Sequence, residues 1–261
     1  MSPDLNTREV HLWCAVPDEI GDEALLREYG GLLTDAERQQ QQRFRFARDR
    51  RRYLVTRALV RTVLSRYAPV APGDWRFAAG PYGKPAIDND PQWAAELSFN
   101  VSHTQGLIVL GVTRRRPIGV DTENMYARQP LDGLAEKFFA PAEVLALRRM
   151  AQDEQARRFY EYWTLKESYI KARAMGLSIP LDGFSFEFGE GMGLLLSIRP
   201  DQEDRPTNWR FWLIQQDAGF PVAVCVGRDG PEVSALRAWA TIPLVSERVS
   251  DYALLRCSHG V

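Results

Sequence analysis

The sequence is poor in several things that would announce a function at once. It has three cysteines, Cys14, Cys225 and Cys257, odd in number and far apart. They match neither a zinc spacing nor a disulfide framework, and read as reduced thiols of a cytoplasmic protein. Clean apolar runs such as Leu107 to Val112 are about six residues long, whereas a membrane-spanning helix needs about 20. The N-terminus lacks the basic start and apolar core of a secretion signal. Net charge is −1, so no global field draws the chain to nucleic acid. No G-x-x-x-x-G-K-(S/T) loop is present, which argues against an ATPase. Histidine occurs only at His11, His103 and His259.

Charge is present, but unevenly. Residues 43–66 hold nine arginines and one acid. On a near-neutral protein this patch points to a discrete anionic ligand more than to a polyanion. Its interleaved Phe44, Phe46 and Tyr53 are able to stack bases, but no nucleic-acid fold pattern accompanies them.

Periodicity predicts a strand over 8–16, a polar helix over 34–46 capped by Thr34, and a second helix over 48–67. A hairpin follows, with arms at 97–103 and 107–112 turning at Thr104-Gln105-Gly106, then a strand from Ile118. A helical stretch follows Pro141, and a long helix runs from about Gln152 to Met175, ending at Gly176. The last third is strand-like at 184–188, 193–198, 209–214 and 221–226. Blocks of helices and turn-linked strands argue α+β with antiparallel sheets. The basic loop 113–117 is the expected boundary between two parts, 1–116 and 117–261.

Asp121 and Glu123 stand at i and i+2 and project from one face if the segment is extended. Two such charges repel unless a cation lies between them, and Mg²⁺ characteristically takes one or two carboxylates with waters and phosphate oxygens. Alone, the pair reads as two solvated acids. On the long helix, Trp163, Glu167 and Lys171 recur at i, i+4 and i+8 and share a face, again an ordinary amphipathic pattern in isolation.

Together the two are specific. Gly119-Val-Asp121-Thr-Glu123, followed by Trp163-Thr-Leu-Lys166-Glu167-Ser168-Tyr-Ile-Lys171, resembles the G-(I/V)-D-x-E and (F/W)-(S/T)-x-K-E-(A/S)-x-x-K pair of the 4′-phosphopantetheinyl transferase superfamily. Gly80-Pro-Tyr-Gly83-Lys84-Pro85-Ala86 and Phe99-Asn100-Val101-Ser102-His103 resemble two further family motifs, in family order. The likeness runs from about residue 34 to 188, and the chain length points to the larger, Sfp type, which activates surfactin synthetase.

The resemblance implies a pseudo-dimer of two similar halves, each an antiparallel sheet with packed helices, and an active-site cleft between them. It implies Mg²⁺ on Asp121, Glu123 and Glu167, with coenzyme A as co-substrate. Lys171 would reach the diphosphate, Arg52 and His103 the 3′-phosphate, Ser102 a phosphate, and Lys84 and Pro85 the adenine pocket. Glu167 is the expected base, with Asp121 or a metal-bound water as alternatives. The partner implied is an apo carrier protein serving a monomeric enzyme, with no role for nucleic acid or membrane. The chain departs from the family at Glu37 and Gln40, where lysines are common, so the 3′-phosphate site would lean on Arg43, Arg51 or Arg52. Phe138, Phe139 and Met125 offer either a docking surface or core, with core preferred. A non-catalytic coenzyme A or carrier-binding module is the alternative function.

Overall fold

The computed structural model describes residues 5–126, 133–216, 219–228, 232–233 and 235–258, which leaves His259 outside. The chain begins with β1 (Glu9–Ala15), then α1 (Glu23–Leu32), α2 (Asp35–Arg43) and α3 (Ala47–Leu64). Next come β2 (Phe77–Ala79), β3 (Pro85–Ile87), α4 (Pro91–Glu96), β4 (Leu97–Thr104), β5 (Leu107–Arg114) and β6 (Ile118–Thr122). Helices α5 (Leu134–Phe138), α6 (Pro141–Arg148) and α7 (Gln152–Arg173) follow. The remainder is β7 (Phe184–Phe188), β8 (Leu194–Ile198), β9 (Trp209–Gln215), β10 (Pro221–Gly227), β11 (Ala235–Ile242), β12 (Ser246–Val249) and β13 (Ala253–Cys257).

Two main sheets form, in the orders β12-β11-β1-β5-β4 and β13-β9-β10-β6. Alternation along the strands explains how they pack. On β1, Trp13 faces the α3 side, whereas Val10 and Leu12 face the second sheet. On β10, Ala223 and Cys225 face α7, whereas Val222, Val224 and Val226 face the first sheet. Each sheet is thus covered on both faces, and β1 and β10 are buried at every position. This is why β10 reads as a continuous apolar run, whereas β1 keeps Glu9 and His11 buried with partners, Glu9 pairing with Arg237 at 3.0 Å and His11 Nδ1 meeting the Tyr67 hydroxyl at 2.9 Å. The layers run α3, first sheet, second sheet, α7, with separate cores under each helix and one between the sheets.

The expectation of purely antiparallel sheets needs correction. β11 pairs with β1 in parallel, placing Ala238 opposite Leu12 and stacking Trp239 on Trp13 at 4.8 Å. The first sheet therefore takes strands from both ends of the chain. Helix α1 was not foreseen. Its cap is regular, with the Asp22 carboxylate accepting from Ala24 N at 2.7 Å, but Gly30 and Gly31 weaken the helical pattern. Thr34 caps α2 as expected, in a capping box with Glu37. Phe139 is core, and Phe138 and Met125 pack against that core.

Lys166 holds the fold behind the second sheet's helix. Its buried ammonium meets Glu143 Oε2, Leu181 O and Phe184 O, each at 2.7 Å. The other Glu143 oxygen accepts from Phe186 N at 2.9 Å. Lys166→Met strands a buried carboxylate and two carbonyls, so urea unfolding is expected to show a loss of about 3–5 kcal/mol.

Candidate active site

Asp121 sits where two elements are forced together. A Cβ on Gly119 would lie 2.0 Å from Ser168 O and 2.4 Å from Ala172 N. Only glycine lets β6 lie directly on the backbone of α7. From the other side, buried Asn100 on β4 accepts from Val120 N at 2.8 Å, so a side chain stands in for a ladder partner between strands of different sheets. The glycine and asparagine of the two motifs thus set the spacing of β4, β6 and α7.

That spacing brings three side chains into one cluster. Lys171 Nζ donates to Asp121 Oδ1 at 2.6 Å and to Ser102 Oγ at 3.0 Å. Ser102 Oγ donates to the same Asp121 oxygen at 2.8 Å. Asp121 Oδ2 is buried and has no hydrogen-bond partner among the described residues. Buried polar atoms are normally satisfied, so this oxygen marks a place for an added ligand.

The cluster lines a cavity of about 490 Å³. Helix α3 supplies Asp49, Arg52, Tyr53, Thr56 and Arg57 to its wall, and α7 supplies Trp163, Glu167 and Lys171. Of the other predicted residues, Pro85, Ser102, His103, Asp121 and Glu123 also line it, and Lys84 does not. Burial pushes the Glu167 carboxyl above its usual range, the Asp121 charge adds to this, and Lys171 opposes it. Partial removal from water lowers the His103 pKa, and the neighbouring Arg52 cation lowers it further. Arg52 itself pairs with Asp49 at 3.0 Å. Among the described residues, no group of three or more His, Cys, Asp and Glu side chains is drawn together so as to hold a metal ion by itself.

The lysine of the Gly-Lys-Pro loop stands apart from these residues. Lys84 does not line this cavity, and its ammonium donates to Ile118 O at 2.7 Å and Lys171 O at 2.9 Å. Arg43, Arg51, Glu37 and Gln40 also lie outside the cavity lining. Glu37 is occupied inside the fold: burial would raise its carboxyl, but the Thr34 N–H and the Arg61 and Arg57 cations outweigh this and hold it low. The departure from the family's lysines is thus answered within the helix pair, through an Arg61–Glu37 bridge of 2.7 Å. Tyr53, Thr56 and Arg57 were missed as cavity residues. Their signal was available, since they follow Asp49 and Arg52 at three- and four-residue spacing on one helix face.

Comparison with known proteins agrees with the motifs. A family model described as the 4′-phosphopantetheinyl transferase superfamily matches residues 117–225. A model for the N-terminal region of 4′-phosphopantetheinyl transferase matches residues 23–114. The chain is 38% identical over 197 residues to the 4′-phosphopantetheinyl transferase ffp of Bacillus subtilis, covering 75% of this chain and 83% of that protein. It is 34% identical over 202 residues to Sfp of the same species, covering 77% and 85%. It is 35% identical over 170 residues to HetI of Nostoc sp., covering 65% and 70%. With motifs, cavity residues and relatives in agreement, the chain belongs to the 4′-phosphopantetheinyl transferase superfamily, Sfp type.

Proposed function

We propose that the protein transfers 4′-phosphopantetheine from coenzyme A to a serine hydroxyl of an apo acyl, peptidyl or polyketide carrier protein, releasing 3′,5′-ADP. The observation that carries this reading is the buried Asp121–Lys171–Ser102 cluster on the wall of a cavity that Arg52 and His103 also line. In the reaction the serine oxygen bonds to the phosphorus bearing pantetheine, and the bond from that phosphorus to the bridging diphosphate oxygen breaks. The leaving group departs with that electron pair.

The chain's own residues divide this work. Glu167, with its carboxyl raised by burial, is the base that takes the serine proton. Lys171, whose Nζ lies 2.6 Å from Asp121 Oδ1, is the cation for a diphosphate oxygen. Arg52 and His103 would face the 3′-phosphate, Ser102 would contact a phosphate once its hydroxyl turns from Asp121, and Pro85 would wall the adenine side. The unpartnered Asp121 Oδ2 fits a bound cation, and Asp121, Glu123 and Glu167 would hold Mg²⁺, with diphosphate oxygens supplying what three protein groups alone do not. Bound there, Mg²⁺ would neutralise charge developing on the leaving diphosphate oxygen.

The same reading divides the chain into halves 1–116 and 117–261, acting as a monomer. A long helix on the outer face of each sheet supports the division, with β11 and β12 returning to the first half's sheet. We assign the protein to the cytoplasm. No described helix is long and apolar enough to cross a membrane.

The reading predicts carrier-dependent release of 3′,5′-ADP, absent when the carrier serine is alanine. Release that ignores the carrier serine contradicts it. His103 gives a pH test. Its pKa is depressed in the free protein, and a bound phosphate dianion raises it. Coenzyme A affinity should therefore strengthen as pH falls from the bound toward the free pKa. The gain should be missing in His103→Ala and with 3′-dephospho-coenzyme A, as read by calorimetry.

A further inference from the structure

The loop that carries Lys84 is a wall between two cavities. Pro85 lines both the cavity with Asp121 and a second one of about 520 Å³, whereas Lys84 lines only the second. The ammonium therefore approaches its partners from behind the cavity wall that bears Asp121. Those partners are two main-chain carbonyls, Ile118 O at 2.7 Å and Lys171 O at 2.9 Å. Ile118 opens the strand that carries Asp121, and Lys171 is the residue whose side chain reaches Asp121. Loss of solvent around Lys84 lowers its pKa to about 8, as expected of a group built into the structure.

We infer that Lys84 is a positioning residue: its ammonium ties the start of the Asp121 strand to the Lys171 turn of α7, and so fixes how Asp121 meets Lys171. Gly119 permits the close approach of these two elements from the front, and Lys84 holds it from behind. Both contacts are to main-chain carbonyls of the fold. A displacement of about 1 Å in a reacting group can cost about 10²-fold in rate, so a tie on the main chain acts on turnover more than on binding.

The kinetic part of this inference rests on the transferase reading, and the exchange part does not. Lys84→Met keeps the stem and removes the donors. Per folded molecule, kcat is expected to fall by about tenfold or more while the Kd of coenzyme A, by calorimetry, moves by less than about threefold. Amide hydrogen exchange should accelerate in 118–122 and 168–173. Lys84→Gln, which restores shorter N–H donors, should recover part of both effects, and it takes over the test if the methionine variant does not fold. A Kd increase with unchanged kcat makes Lys84 a nucleotide contact and overturns the inference. Unchanged exchange in both segments overturns it as well. A wild-type protein that modifies no carrier would sink the transferase reading alone, because exchange still decides the role of Lys84.

Discussion

Asp121→Asn lowers kcat for carrier modification on the order of 10³-fold, the scale of losing a preorganised charge from a water-poor site. The substitution is nearly isosteric, and the amide oxygen still accepts from Lys171 Nζ and Ser102 Oγ, which share Asp121 Oδ1 at 2.6 and 2.8 Å. What disappears is the negative charge and the unpartnered anionic oxygen Oδ2. Lys171 loses its counter-charge, and Glu167 loses the neighbour that helps hold its carboxyl high. The fold persists, so circular dichroism and coenzyme A binding separate this outcome from unfolding. Stopped-flow or single-turnover transfer is the direct readout. A variant within tenfold of wild type would remove Asp121 from the chemistry.

Gly119→Ala removes about 3 kcal/mol or more of stability, at the upper end of overpacking costs. The added methyl would overlap backbone, Ser168 O at 2.0 Å and Ala172 N at 2.4 Å, not a side chain able to swing away. Relief requires β6 to lift off α7, which carries Asp121 away from Lys171 and Glu167. Stability and kcat therefore fall together, unlike the Asp121 variant, in which kcat falls alone. Urea unfolding at constant m-value measures the first and transfer assays below the melting temperature the second. With domain stabilities of about 5–15 kcal/mol, the variant is expected to fold at low temperature and melt early.

Much of this site is legible in the sequence because its determinants are local. The hairpin of β4 and β5 shows in its alternation, and α7 shows Trp163, Glu167 and Lys171 on one face, all three of which line the cavity. Asp121 and Glu123 share one side of an extended segment and reach the same wall. Non-local features were not legible. The parallel return of β11 onto β1 depends on packing between chain ends, and its Trp13–Trp239 stack has no local signature. The Gly-Lys-Pro motif implies a nucleotide contact for Lys84 and carries no sign of its tie to the main chain. Its partners are carbonyls 34 and 87 residues away, and main-chain acceptors leave no mark on side-chain pattern. Glu37 looked like a defect in an anion site, but it is the acid that neutralises Arg61 inside the first core. Asn100 stood in a recognised motif without a role until the structure put its side chain on Val120 N.

The most direct test is the intact mass of apo carrier proteins after incubation with this protein, coenzyme A and Mg²⁺. Carriers from fatty-acid, polyketide and nonribosomal-peptide systems would be tried in parallel, each with the Asp121→Asn protein beside the wild type. The structure predicts that at least one carrier gains a single phosphopantetheine on its serine with the wild type and gains none in the same time with the variant. Carriers that all remain apo with the wild type, or that are modified equally by both proteins, would contradict it.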